Sequence, residues 1–312
     1  MERQNHSLVT EFILLGLTDS HGLQIFFFLF FSSIYTAIVL GNLIIISVVK
    51  VDLQLHSPMY LLLSNLSFID MSLASFAIPK MISALISDYK TISYEGCMTQ
   101  MFFLHLFGGS EMMLLVAMAV DRYIAICKPL HYNSIMSHRA CIGLTFLSWT
   151  TGFMHTMSQM IFTVTLPFCG PNVVDSFFCD LPRVIKLACT DTYILELLVI
   201  ADSGLLSLFC FIFLLISYSV ILITVQQRSS SGSSKALSTL SAHITVVVLF
   251  FGRCIFIYVW PFISISIDKI LSVFYTIFTP LLNPIIYTFR NKDMKKAIKK
   301  IKNKLVSPKS TF

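Results

Sequence analysis

Charge is scarce in this chain. Only 12% of its 312 residues are Asp, Glu, Lys or Arg, where a soluble domain carries about 25%. Hydrophobic residues make up 56% and the mean hydropathy is +0.80. That balance excludes a water-soluble fold, because so much apolar surface needs lipid around it. Residues 1–22 are polar but lack a basic n-region and a small-residue cleavage site, so they do not read as a signal peptide. Zinc-type spacing is missing too: no Cys-x-x-Cys pair and no suitably placed His accompany the eight cysteines. Nor is there a nucleophile–base pair, a transporter-like repeat or a separate soluble domain, which argues against an enzyme or a transporter.

What the chain does have is seven apolar windows, near residues 23–49, 57–82, 97–126, 140–164, 194–225, 237–262 and 270–289. Each meets the roughly 20 residues a membrane-spanning helix needs. The expected architecture is an all-α membrane protein. An extracellular tail (1–22) leads into a seven-transmembrane helix bundle (23–290), and a cytoplasmic amphipathic helix with its tail (291–312) closes the chain. Orientation follows from the basic residues. With the N-terminus outside, 15 of the 22 fall on the cytoplasmic side, nine of them between Arg290 and Lys309. The net charge of +6 is therefore a topology signal, and no nucleic-acid partner is expected. Asn5–His6–Ser7 forms a glycosylation sequon on the outer tail, while Asn65–Leu66–Ser67 lies in a span and should stay unmodified.

Four cysteines, Cys97, Cys169, Cys179 and Cys189, fall at the outer face, where disulfides persist. Four cysteines allow three pairings, and spacing alone does not choose between them. The single long loop, 165–193, carries three of the four and is expected to act as a lid. Inside, Arg228–Ser234 reads as a flexible linker. After Arg290, Met294, Ala297, Ile298 and Ile301 recur at helical spacing among lysines, which suits a helix on the anionic inner leaflet.

The most telling run is Met118–Ala119–Val120–Asp121–Arg122–Tyr123, at the end of the third window. An arginine at a membrane edge, flanked by an acid and a phenol, suggests a guanidinium held while the bundle is closed and released when it opens. Other runs stand in order along the chain: Gly41–Asn42, Leu55–His56–Ser57–Pro58–Met59–Tyr60, Leu66–Ser67–Phe68–Ile69–Asp70, Ser217–Tyr218, Lys235–Ala236–Leu237–Ser238–Thr239 and Pro280–Leu281–Leu282–Asn283–Pro284–Ile285–Ile286–Tyr287. Together they resemble the signatures of olfactory receptors, of the tetrapod (class II) type and closest in wording to family 4. The resemblance implies a rhodopsin-like receptor. Such a receptor binds a small volatile odorant and activates a heterotrimeric, olfactory stimulatory G protein, raising cAMP. A rhodopsin-like receptor for another small ligand is the alternative.

The same resemblance implies roles for particular residues. Asp121, Arg122, Tyr123, Tyr218, His243, Asn283, Pro284 and Tyr287 would form the switch that couples to the G protein. Cys97 and Cys179 are the disulfide to expect, with Cys169 and Cys189 available for a second. Asp70 and Glu111 are carboxyls in the middle of two spans. Either both stay protonated in a buried setting, or they form an inward polar site that holds sodium, as in related receptors. Three positions depart from the family wording: Val120 for Tyr, Leu240 for Cys, and Arg253 for a Pro that would kink the sixth helix.

Helix register gives the expected ligand-binding set. It comprises Leu104, His105, Gly108 and Met112 on the third helix, and Asp202, Ser203 and Leu206 on the fifth. Phe251, Cys254, Ile255 and Tyr258 follow on the sixth, with Val273 and Thr276 on the seventh. A mostly apolar cavity with a few polar groups suits a volatile molecule. Asp202 and Arg253 each lie about eight residues, or about 12 Å, below the outer end of their helix; either the two form an ion pair, or Arg253 snorkels to the surface while Asp202 binds ligand or water.

Overall fold

In the computed structural model the described residues are 9–18, 20–87, 89–227, 241, 244–248, 250–252 and 272–306. Long helices dominate: α1 (His21–Val51), α2 (Pro58–Ile86), α3 (Tyr94–Cys127), α4 (His138–Thr163) and α5 (Tyr193–Gln227). Residues 244–248 and 250–252 are helical and belong to α6, whose remaining expected length falls outside the described residues. A wide π-helical turn, Phe274–Phe278, runs into α7 (Thr279–Arg290), and α8 (Lys292–Val306) follows after Asn291. In lipid a helix satisfies its own backbone, which is why apolar runs of this length adopt nothing else. The ends of α1 to α5 lie within a few residues of the apolar windows; the polar ends of α2 and α3 extend furthest beyond them.

Local chemistry sets the ends. Ser93 caps α3 by accepting from the Gly96 amide at 3.1 Å, and Ser137 caps α4 through the Ala140 amide at 3.3 Å. Pro58 opens α2 where its missing N–H costs nothing. Asn291 caps α8, its Oδ1 accepting from the amides of Asp293 (2.9 Å) and Met294 (3.2 Å).

Packing separates central from peripheral helices. In α2 and α3, 56% of the most apolar window is buried, against 28% in α1 and α5. α3 and α4 cross closely at Gly109, Ser110 and Gly152. A Cβ on Gly152 would stand 2.6 Å from the Ser110 amide nitrogen and 2.7 Å from the Leu106 carbonyl, so no side chain fits. Across the bundle, Gly41 on α1 faces the ring of Pro284 on α7, with an added Cβ meeting it at 3.2 Å.

The outer end differs from the plain polar tail expected of residues 1–22. Residues Glu11–Leu14 form β1, the middle strand of a three-stranded sheet. It pairs antiparallel with β2 (Thr91–Ser93) and parallel with β3 (Val173–Val174). Phe12 and Leu14 point inward by strand alternation, into an apolar cluster with Cys97, Met101, Phe168 and Leu181. Disulfides join Cys97 to Cys179 and Cys169 to Cys189, with Cα separations of 5.5 and 5.7 Å. Gln100 of α3 clamps the same loop, accepting from the Cys179 amide at 2.8 Å while donating to the Phe76 carbonyl at 2.7 Å. Phe177 and Phe178 drop from the loop onto Phe31, Ile78 and Ile277 of the helices beneath. The loop after α4 is thus packed, crosslinked and stitched to the N-terminal segment.

Candidate functional site

At the inner end, Asp121 and Arg122 pair side by side on α3. The guanidinium Nη2 lies 2.7 Å and Nε 3.1 Å from the same Asp121 oxygen, Oδ2. The other oxygen, Oδ1, accepts from the Tyr132 hydroxyl at 2.7 Å. Tyr132 comes from the one-turn helix Tyr132–Ile135 in the loop after α3. Burial, and then the neighbouring Asp121 charge, push its phenol above the usual range, so it remains a donor at any physiological pH. The carboxylate is buried and the guanidinium nearly so. A charge pair in that setting is stabilised when closed and strongly biased by anything that offers the arginine another partner.

Other expected switch residues surround it. Tyr123 packs partly buried on the inner apolar core. The Tyr218 hydroxyl on α5 is buried without a hydrogen-bond partner among the described residues. Tyr60 of α2 donates to Asn291 Oδ1 at 3.1 Å, tying α2 to the α8 cap. Lys300 of α8 reaches Asp52, 3.3 Å from its carboxylate. His243 and the Tyr287 side chain lie outside the described residues.

In the middle of the bundle Asp70, Glu111 and Asn283 converge, all buried. Asn283 Nδ2 donates to Asp70 Oδ2 at 2.9 Å. Asn42 donates to the Ile38 carbonyl at 3.0 Å and to the Pro280 carbonyl at 3.2 Å, fixing α1 to the broken turn of α7. Asp70 Oδ1, both Glu111 carboxyl oxygens and Asn283 Oδ1 have no hydrogen-bond partner among the described residues. Buried oxygens in such number need protons or a cation. All are hard oxygen donors, so the set fits a small monovalent ion.

Several residues of the expected ligand set lie toward the disulfide-bonded end of the bundle. Leu104 packs partly buried between two apolar clusters, one shared with Val273. His105 Nδ1 donates to the Met101 carbonyl at 2.8 Å. Gly108 and Met112 are buried on α3, and Ser207 of α5 donates to the Met112 sulfur at 3.5 Å. Leu206 and Phe251 line the same core, Phe251 against Phe211 with centroids 5.9 Å apart. Thr276 is buried in the π-turn, its hydroxyl bonded to the Ser272 carbonyl at 2.8 Å. Cys254, Ile255 and Tyr258 lie outside the described residues, as does Asn5.

Asp202 faces α4. Its Oδ2 accepts from His155 Nδ1 (3.0 Å), Ser158 Oγ (2.7 Å) and Gln159 Nε2 (3.4 Å). Arg253, the partner expected for it, lies outside the described residues. Gln159 also donates to Ser203 Oγ. His155, Ser158, Gln159, Ser207 and Tyr132 are functional neighbours that the sequence reading missed. The signal for the first three was there: polar residues at i, i+3 and i+4 share one face of an apolar helix, where each has to find a partner.

Comparison with known proteins adds the family. Residues 31–304 match the family model described as olfactory receptor. The chain is 65% identical to human olfactory receptor 4K3 over 311 residues, covering 100% of this chain and 99% of that protein. It is 70% identical to human olfactory receptor 4K13 over 300 residues (96% and 99%), and 62% identical to human olfactory receptor 4L1 over 312 residues (100% of each).

Proposed function

This chain belongs to the olfactory receptor family, a membrane-protein family of seven-helix G protein-coupled receptors, and from that premise we propose how it works as an odorant receptor. The N-terminus faces outward and the tail after Arg290 faces the cytoplasm, where its lysines meet anionic lipid. A small volatile odorant lodges between the outer halves of α3, α5, α6 and α7. The ligand-binding set is Leu104, His105, Gly108, Met112, Ser203, Leu206, Phe251, Val273 and Thr276 among the described residues. Asp202 acts from the α4 side of α5.

The observation that carries the reading is the caged guanidinium of Arg122. It is bound by Asp121, which Tyr132 holds from the other side. Odorant binding favours an arrangement in which Arg122 leaves Asp121, with the buried Tyr218 hydroxyl as an alternative partner on α5. The cleft that opens receives an olfactory-type stimulatory G protein, and cAMP rises. A ligand shifts this equilibrium only by its difference in affinity for the two states. Asp70, Glu111 and Asn283 would hold a sodium ion, which supplies the charge that two buried carboxylates need.

The test is cAMP in cells expressing the receptor at the surface, challenged with an odorant panel. The expected result is a dose-dependent rise with at least one odorant, absent from cells without the receptor. A surface-expressed receptor that answers no odorant but responds to a non-volatile small ligand would favour the wider rhodopsin-like class.

A further inference from the structure

We propose that Gln159 and Ser203 form a paired donor–acceptor site for the hydroxyl group of an alcohol or phenol, and that this pair sets the chemical class of odorant the receptor prefers. The inference rests on the receptor reading above and names the ligand chemistry of that same outer site.

Ser203 stands on α5 one turn outward of Ser207, and Ser207 touches Met112 on α3 at 3.5 Å. α3 and α5 run in the same direction, so Gly108, one turn outward of Met112, comes level with Ser203. Gly108 is buried and brings no side chain to that level. Gln159 reaches the same level from α4, and Ser203 and Gln159 are only 5% and 2% exposed. Neither can turn to water.

The hydrogen bonds around the pair are directional. Gln159 Nε2 lies 3.4 Å from Asp202 Oδ2, and that carboxylate would repel an amide oxygen. The NH2 end of Gln159 is therefore turned toward Asp202 and Ser203, which fixes the amide orientation. His155 Nδ1 carries a proton because it donates to Asp202 Oδ2 at 3.0 Å, leaving Nε2 as an acceptor 3.5 Å from the same NH2. His155 and Asp202 are thus positioning residues for Gln159.

Two groups remain unused. Gln159 Oε1 is buried with no partner. Ser203 Oγ accepts from Gln159, and its own O–H has no acceptor among the described residues. A spare acceptor and a spare donor sit side by side. A hydroxyl answers both, accepting from Ser203 and donating to Gln159 Oε1. An ether answers only the donor, and a hydrocarbon answers neither. A site built to hydrogen-bond an OH rejects the analogue lacking it, because its own buried groups are then left unpaired.

The experiment measures cAMP responses of the full receptor to matched triplets. These are straight-chain alcohols of five to ten carbons with their methyl ethers and parent alkanes, and phenols with their anisoles and arenes. A general odorant panel runs beside them. The expected result is activation by alcohols or phenols, with half-maximal concentrations about tenfold or more below those of the matched ethers. Gln159→Leu and Ser203→Ala should erase that difference at matched surface expression, and Ser203→Thr should keep it. Ethers equal to alcohols, or silence to every triplet while the general panel activates, would overturn the proposal and leave the receptor reading intact. Silence to both, in surface-expressed protein, would sink both.

Discussion

The two ends of the bundle are held by different kinds of bond. Outside, two disulfides, a three-stranded sheet and a phenylalanine plug fix the loop over α1, α2, α3 and α7. At the other end an apolar core that takes in Leu55, Val225, Met294 and Ala297 is supplemented by a few exchangeable polar contacts: Arg122–Asp121–Tyr132, Tyr60–Asn291 and Lys300–Asp52. Covalent links and buried apolar area do not exchange partners; hydrogen-bonded charges do. On the proposed reading, a ligand bound beneath the crosslinked end finds its movable parts at the opposite end.

The contrast predicts its own sensitivities. Breaking the 82-residue loop closed by Cys97–Cys179 should cost about 2–5 kcal/mol, enough to abolish delivery to the surface. Surface staining of Cys97→Ser measures this, and normal staining with normal signalling would remove the stiff end from the account. Next comes the α3–α4 crossing. Gly152→Ala should destabilise by about 1–3 kcal/mol, since its Cβ meets backbone that cannot yield. Gly143→Ala on the same helix meets nothing within 4 Å and should be neutral or slightly stabilising. Thermal unfolding of the purified pair separates the two.

The inner end should respond in activity before stability. Tyr132→Phe removes one of the two holders of Asp121 and should raise ligand-free cAMP roughly threefold to tenfold. The sign of its pH dependence also follows. The folded-state pKa of Tyr132 is raised, so its contribution is complete below the ordinary phenol pKa and is lost only as pH climbs through the raised value. Ligand-free G-protein activation in membranes should therefore stay flat from about pH 6 to pH 8, as far as this residue controls it. Smallest of all is Lys300→Ala. The ammonium is half exposed, and such a pair contributes about 0–1 kcal/mol, so basal cAMP should stay within about twofold.

Much of this was legible in the chain because lipid imposes a simple rule: apolar runs of sufficient length become helices. Windows and helix ends agree for that reason, and Asp121–Arg122 could be paired because the two are neighbours. Tyr132 was not legible. Its partner lies eleven residues back, across the turn that follows α3, and no periodicity marks it. β1 was missed because Phe12 and Leu14 make a strand of only four residues, whose sheet needs partners 80 and 160 positions away. His155 and Gln159 share one face of their helix, but only the α4–α5 contact shows what they hold. Asp202 was matched in depth to Arg253, which lies outside the described residues; the contacts from α4 to its Oδ2 were not legible, because depth along a helix does not fix the face.

Replacing the Arg122 guanidinium tests the central claim most directly. With Arg122→Ala at the same surface density as the unmodified receptor, an activating odorant should still bind but produce no cAMP rise. An undiminished, odorant-dependent rise in that variant would contradict an inner end governed by the Arg122 cage.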